Sequence, residues 1–450
     1  VAKVGGHDRV IAYEHSHPAS LSSLGRLSWF DPESGTVSEL VAVTSSFQPP
    51  RADEIPHVDV TRDVNGDGRD DLVVPDERGF WVFIQTDGGT FADPVMLGPP
   101  TDMSGILGAD GYRYAPWSVG RIYEVDIDLD GRRDLAFWNE DHFEAHLQDE
   151  RGMFSDVTES YVTEVEFDSD DVLFLASEDM TGRVLHSLAD LNVDGTADLV
   201  VLSLEGRRNS QKRSVFEVYF GEPSEDGGLV FAGKVGAAFR SKGRIQLGMD
   251  PHVLRGDGQV ALMFTTLENR FLGGNLWKRI KGAMGDDVWL ELEFHQTVGG
   301  VYRNEPNATY RIALDGVPSH REPGSVPLDI ALRGRTHESR RTRESWLRAF
   351  NRTLLIGDVT GDGRSDLLIE AEFQDLHVHV GVAGPELFAA KPQKVKVTLF
   401  DEEYIWLVDL NGDGKQDILQ HHPFTLTTPH GAAKQPPGTE PHRVTTLIAR

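Results

Sequence analysis

Cysteine is absent from the 450 residues, so disulfides, thiolate metal sites and cysteine nucleophiles are excluded. No run of 18 apolar residues occurs, and a helical membrane span needs about that many. Positive charge is scarce: 44 Lys and Arg stand against 72 Asp and Glu, a formal net charge of −28. A polyanion would be repelled, which argues against nucleic acid as a partner. The linear signatures of a phosphate-binding loop, a dinucleotide fold, a His-Glu-x-x-His zinc helix and a Gly-x-Ser-x-Gly elbow are also missing.

What is present is a packed-core composition, with 39% hydrophobic and 9% aromatic residues, and a repeat. Five segments share one pattern: DVNGDGRDDL from Asp63, DIDLDGRRDL from Asp126, DLNVDGTADL from Asp190, DVTGDGRSDL from Asp358 and DLNGDGKQDI from Asp409. Each carries an acid at positions 1, 5 and 9, an oxygen-bearing residue at 3, glycine at 6 and an apolar run after 9. A degenerate copy, VLRGDGQVAL from Val253, keeps only the central Gly-Asp-Gly, and GGHDRVIA from Gly5 ends in the same apolar run. Repeat units begin near 10, 63, 126, 190, 253, 358 and 409. The starts from 63 to 253 step by 63, 64 and 63, and the apolar run at Val10 precedes that at Leu72 by 62. The step of 105 to 358 is one unit plus about 42 extra residues within 265–350, and the last step is 51. A near-constant step means one supersecondary element stacking on its neighbours.

Within a unit the pattern is of short strands. Residues 121–125, 135–138, 143–147 and 154–157 form one set, and 72–74, 80–84 and 91–97 repeat it one unit earlier. Alternation at 288–294 and 377–382 supports half-buried strands. The expectation is an all-β, seven-bladed β-propeller of four-stranded antiparallel blades, one domain over 1–450, with an insertion in the region of blades 5 and 6. A β-solenoid is the competitor, though its rungs are usually shorter. The C-terminal 442–450 segment reads as a strand that could complete the ring.

Acids at alternate positions of a tight loop converge on one centre, and calcium takes six to eight oxygen ligands at about 2.3–2.6 Å. The expected ligands are Asp63, Asn65, Asp67, the Arg69 carbonyl and Asp71; Asp126, Asp128, Asp130, the Arg132 carbonyl and Asp134; and Asp190, Asn192, Asp194, the Thr196 carbonyl and Asp198. The fourth loop offers Asp358, Thr360, Asp362, the Arg364 carbonyl and Asp366, and the fifth Asp409, Asn411, Asp413, the Lys415 carbonyl and Asp417. About five Ca2+ ions follow, the four-carboxylate second loop binding most tightly and the threonine-bearing fourth most weakly. An EF-hand is rejected because position 12 holds Val74, Phe137, Val201, Ile369 and Gln420, never glutamate. An isolated Asp/Asn/Gly stretch can equally be a plain hairpin turn; five copies in phase favour metal.

These motifs resemble the FG-GAP/VCBS repeats of integrin α-subunit propellers and of bacterial secreted or surface proteins. The resemblance implies calcium in the loop joining the first two strands of a blade, and ligands engaged by a face of the ring or its long loops. Such propellers serve adhesion receptors, sugar-degrading enzymes and complex subunits alike. The integrin Phe-Gly/Gly-Ala-Pro signature is not intact here, which favours the bacterial-type group. Calcium loops of moderate affinity fill only where calcium is near millimolar, so an extracellular, cell-surface or periplasmic location is expected.

Outside the loops, His15, His17, His421 and His422 read as surface histidines, and Trp81, Trp117, Trp138 and Trp406 as packing residues. The insertion carries basic-aromatic patches, Trp277 with its lysines and Arg340, Arg341, Arg343 and Trp346. They suit docking to an acidic protein partner or a polysaccharide, or else pack on the propeller as a solvated loop. No catalytic residue is expected. The leading reading is a non-enzymatic protein- or glycan-binding scaffold, with a polysaccharide lyase-like enzyme or a lectin as the alternatives.

Overall fold

The computed structural model describes residues 2–15, 23–30, 36–45, 60–76, 78–100, 122–139, 141–167, 183–205, 213–224, 227–231, 233–241, 244–254, 260–268, 289–298, 301–313, 354–372, 375–384, 386–396, 404–422 and 443–449. Their fold is an all-β, seven-bladed β-propeller of small antiparallel sheets. Among the described residues no helix is long and apolar enough to cross a membrane.

The sheets are meanders whose strands pair in chain order, except that the last strand of the fifth returns to pair with the third. The first holds Ala2–Val4, His7–His15, Ser23–Phe30 and Val37–Ser45. The second holds Thr61–Arg62, Asp71–Asp76, Gly79–Phe83 and Val95–Leu97, and the third Tyr123–Val125, Asp134–Asn139, His142–His146 and Glu159–Tyr161. The fourth holds Arg183–Ala189, Asp198–Glu205, Arg213–Tyr219 and Ala237–Arg240, with a side hairpin of Gly221–Pro223 and Leu229–Phe231. The fifth is enlarged: Arg244–Val253, Val260–Glu268 and Trp289–Val298 are followed by Val301–Tyr302 and Ala308–Ala313, both paired to Trp289–Val298. The sixth holds Leu354–Gly357, Asp366–Glu372, Asp375–His379 and Gln393–Lys396; the seventh has Tyr404–Val408, Asp417–His422 and Arg443–Leu447. The C-terminal strand therefore pairs inside its own sheet, against Asp417–His422. Gly5 and Gly6, both at positive φ, form a tight turn where other units carry the acidic loop.

Why these sequences make these strands is clearest in the second strand of each sheet. The apolar run after position 9 is buried without alternation: Leu72, Val73 and Val74, then Leu135, Ala136 and Phe137, then Leu199, Val200 and Val201. A strand covered on both faces loses the period-2 pattern and reads as a continuous apolar run. The chain divides into two compact units, one of 1–173, 183–201 and 218–236, the other of 174–182, 202–217 and 237–450. In the first unit, Phe80, Val82 and Leu97 of one sheet pack with Leu135, Phe137 and Phe154 of the next. Tyr123, Trp138 and Phe143 join Leu185, Leu199 and Tyr219 in the following layer. In the second unit Phe264 meets Phe216, Phe239 and His295, and Phe294 meets Tyr310 and Phe388.

The outermost strand of the third sheet lies later than the apolar pattern suggested. Residues 154–157 contribute only a bridge from Phe154 to Gln148, and the strand is Glu159–Tyr161. In the second sheet Phe91 bridges Gln85, and the strand Val95–Leu97 falls inside the expected 91–97. The cause in the third sheet is a turn after its third strand, closed by Asp149 N–H to Met153 O and Gly152 N–H to Asp149 O. That turn returns a phenylalanine to the core before the chain resumes pairing.

Candidate metal loops

All five acidic loops join the first strand of a sheet to the second. All 25 expected ligand residues lie among the described residues, each at its expected loop position. In the loop at 126–134, Asp126 accepts the N–H of Asp130 on Oδ1 (3.0 Å) and of Gly131 on Oδ2 (2.8 Å). Asp128 Oδ1 accepts the Asp130 N–H and Asp130 Oδ1 the Arg132 N–H, at 3.1 and 2.8 Å. The same four bonds recur at 63–71, 190–198 and 409–417. The loop at 358–366 departs where Thr360 replaces the carboxylate or amide: there Thr360 N–H goes to Asp366 Oδ2 at 3.0 Å. Gly361 N–H goes to Asp358 Oδ1 at 2.6 Å, as Gly412 N–H does to Asp409 Oδ1 in the fifth loop. Thr360 Oγ1 is buried and forms no well-aligned hydrogen bond, leaning instead toward Asp366.

Positive φ at positions 4 and 6 makes the winding possible. Position 6 is always glycine, while position 4 is glycine in three loops but Leu129 (φ 61°) and Val193 (φ 60°) in the others. A β-branched residue there is a backbone outlier.

The second loop gathers oxygen. One ligand atom from each of Asp126, Asp128 and Asp130 lies within 4.8 Å of the others. An ion about 2.4 Å from each ligand can serve oxygens no more than about 4.8 Å apart, so this oxygen-only set fits a hard divalent cation. At position 7, Arg132 pairs with Asp130, Arg69 with Asp67 at 2.6 Å and Arg364 with Asp362 at 3.3 Å. Each guanidinium offsets part of the acid charge.

Position 9 has a second role with no linear signature. Asp134 accepts Ile127 N–H on Oδ2 (3.1 Å) and Gln148 N–H on Oδ1 (2.8 Å). Asp71 does the same with Val64 and Gln85, Asp198 with Leu191 and Gly221, Asp366 with Val359 and Gly381, and Asp417 with Leu410 and Ala449. The carboxylate thus staples the start of the loop to the end of the third strand. Burial pushes the Asp71 and Asp198 carboxyls up to about 7 and Asp134 to about 6, against the opposing pull of the N–H donors. Asp366 moves the same way, for the same first cause. Asp134 stands outside the three-oxygen cluster, and among the described residues the other four loops do not bring three acid oxygens within 4.8 Å of one another. Each staple oxygen keeps a second lone pair for a further partner.

A cleft of about 590 Å³ opens beside the second loop, lined by Asp128, Glu159, Ser160, Tyr161, Gly227 and Gly228. Tyr161 OH donates to Glu159 Oε2 (3.3 Å), and burial with the nearby Glu159 charge pushes the phenol up to about 12. Trp138 is buried against Phe143 and Phe167, and Trp81 is half-buried. Trp117, His17, the central residues of the degenerate copy at 255–259 and the patch residues Trp277, Arg340, Arg341, Arg343 and Trp346 lie outside the described residues.

No known family profile matches the chain, and no curated protein matches it either. Among solved structures it is similar to an Agrocybe aegerita lectin that recognises non-reducing terminal N-acetylglucosamine, at 18% identity over 80% of this chain and 73% of that one (TM-score 0.34). It is similar to a Pseudomonas aeruginosa periplasmic gluconolactonase at 12% identity over 98% and 99% of the two chains (TM-score 0.35). It is also similar to a Bacillus licheniformis rhamnogalacturonan lyase at 13% identity over 77% and 57% (TM-score 0.26).

Proposed function

We propose that this chain is a calcium-binding β-propeller of the FG-GAP/VCBS type, working outside the cytoplasm as a non-enzymatic protein- or glycan-binding scaffold. The observation that carries the reading is the convergence of the Asp126, Asp128 and Asp130 oxygens, in a loop whose hydrogen-bond plan recurs in three further loops. Sixteen carboxylates occupy positions 1, 3, 5 and 9 of the five loops, and bound divalent cations would relieve their mutual repulsion. In each loop the acids at 1, 5 and 9, the residue at 3 and the position-7 carbonyl would hold the ion. Bound calcium would supply electrostatic cross-linking of the loop, while the protein's own staples orient it.

Such sites fill where calcium is near millimolar, which is the basis for the extracellular, cell-surface or periplasmic assignment. The partner is a protein or a polysaccharide, met by the cleft beside the second loop or by the basic-aromatic patches. The test has two arms. Calcium counted on the purified chain after dialysis should approach five ions, and chelation should lower the melting temperature. Glycan-array binding without polysaccharide cleavage supports the scaffold; cleavage would replace it with the lyase-like enzyme.

A further inference from the structure

We propose that the calcium loops work in coupled pairs, 63–71 with 126–134 through Arg133, and 358–366 with 409–417 through Gln416. This rests on the calcium reading above. Both residues occupy position 8, between the position-7 carbonyl and the position-9 acid of their own loop, and each reaches position 1 of the preceding loop.

Arg133 Nη1 donates to Asp63 O at 2.8 Å and pairs with Glu124 Oε2 at 3.3 Å. Its guanidinium lies against Gly66, where an added Cβ would meet Cζ at 3.5 Å. Gln148 strengthens the link: Nε2 donates to Asn65 O (2.8 Å) and to Arg133 O (3.1 Å). Positions 1 and 3 of the first loop are therefore held by groups adjoining the last ligand of the second. In the other pair the clasp is a two-bond ring. Asp358 N–H donates to Gln416 Oε1 (2.8 Å), and Gln416 N–H donates to Asp358 O (2.7 Å).

A cation drawing on Lys415 and Asp417 fixes the residue between them, and Gln416 passes that order to Asp358. Binding then costs the neighbouring loop less ordering entropy, which is positive cooperativity. Coupling between sites typically spans 5- to 150-fold in affinity; at least about fivefold is expected here. Position 8 of the third loop is Ala197, which has no polar side chain, so no such clasp runs from 190–198 back to 126–134.

The experiment is equilibrium dialysis of the full chain with radioactive calcium, on the unsubstituted protein, Asp413→Asn, Gln416→Ala and the double variant. Circular dichroism confirms folding of each. Asp413→Asn should remove one ion and weaken one remaining site about fivefold or more; in the Gln416→Ala background it should remove one ion and weaken none. Asp130→Asn with Arg133→Met gives the parallel cycle in the other pair. Remaining sites unmoved by Asp413→Asn and by Asp130→Asn would overturn the coupling while leaving calcium intact. An unsubstituted chain that binds no calcium would overturn the calcium reading itself, a distinguishable result.

Discussion

Replacing Asp134 by alanine separates its staple role from its ligand role. The carboxylate is fully buried and holds the N–H groups of Ile127 and Gln148. A hydrogen bond to a charged group contributes about 1.5–3 kcal/mol, so losing two removes roughly 3–6 kcal/mol of local support. The buried carboxylate is itself uncomfortable, with its pKa pushed up to about 6. Relief of that desolvation returns part of the loss and leaves about 2–4 kcal/mol. Native-state hydrogen exchange reads this locally. In chelator, where no cation contributes, the Ile127 and Gln148 amides of Asp134→Ala should exchange roughly 30- to 1,000-fold faster, at about 1.36 kcal/mol per decade. Unchanged protection of both amides in chelator would refute the staple. An effect confined to calcium-loaded protein would make Asp134 a ligand alone.

The buried imidazole of His146 shares its Nδ1 proton with Ser155 O and accepts the Gly98 N–H on Nε2, and burial lowers its pKa below the ordinary 6.5. It is neutral in both states above pH 6.5, and just below that only the unfolded chain takes the proton. The stability advantage of the native protein over His146→Phe should therefore shrink as pH falls below 6.5; a melting-temperature difference flat from pH 7.5 to 5 would contradict this. Gly412 has φ 74° and open space where a side chain would sit, so Gly412→Val isolates backbone strain. It should cost about 1–2 kcal/mol in urea denaturation, and the reverse change, Val193→Gly, should be neutral or stabilising. Gly98→Ala would place a Cβ 2.7 Å from the Phe137 ring, and overpacking of that kind should destabilise by about 1–3 kcal/mol.

The repeat was legible because each loop concentrates its signal in nine residues, and the buried second strands announced themselves as apolar runs. The outer strand Glu159–Tyr161 was not, because it is largely exposed and short of apolar residues, whereas Phe154 before it is buried. Val95–Leu97, with its apolar residues, falls inside the expected 91–97. The staples escaped for a different reason. The position-9 acid meets an N–H 14 residues on in Asp71 and Asp134, 23 on in Asp198, 15 in Asp366 and 32 in Asp417. A backbone donor has no residue identity, and hairpin length varies freely, so no spacing rule marks it. The position-8 clasps are hidden likewise, since Asp70, Arg133, Ala197, Ser365 and Gln416 share no side-chain chemistry.

The central claim is that the loop oxygens close on a divalent cation. An anomalous difference map from a crystal grown in calcium, recorded at a long wavelength, tests it most directly. A peak between Asp126, Asp128 and Asp130, with companions in the other four loops, is the expected result. Loops built as described here, in well-ordered density with no anomalous signal at millimolar calcium, would contradict it.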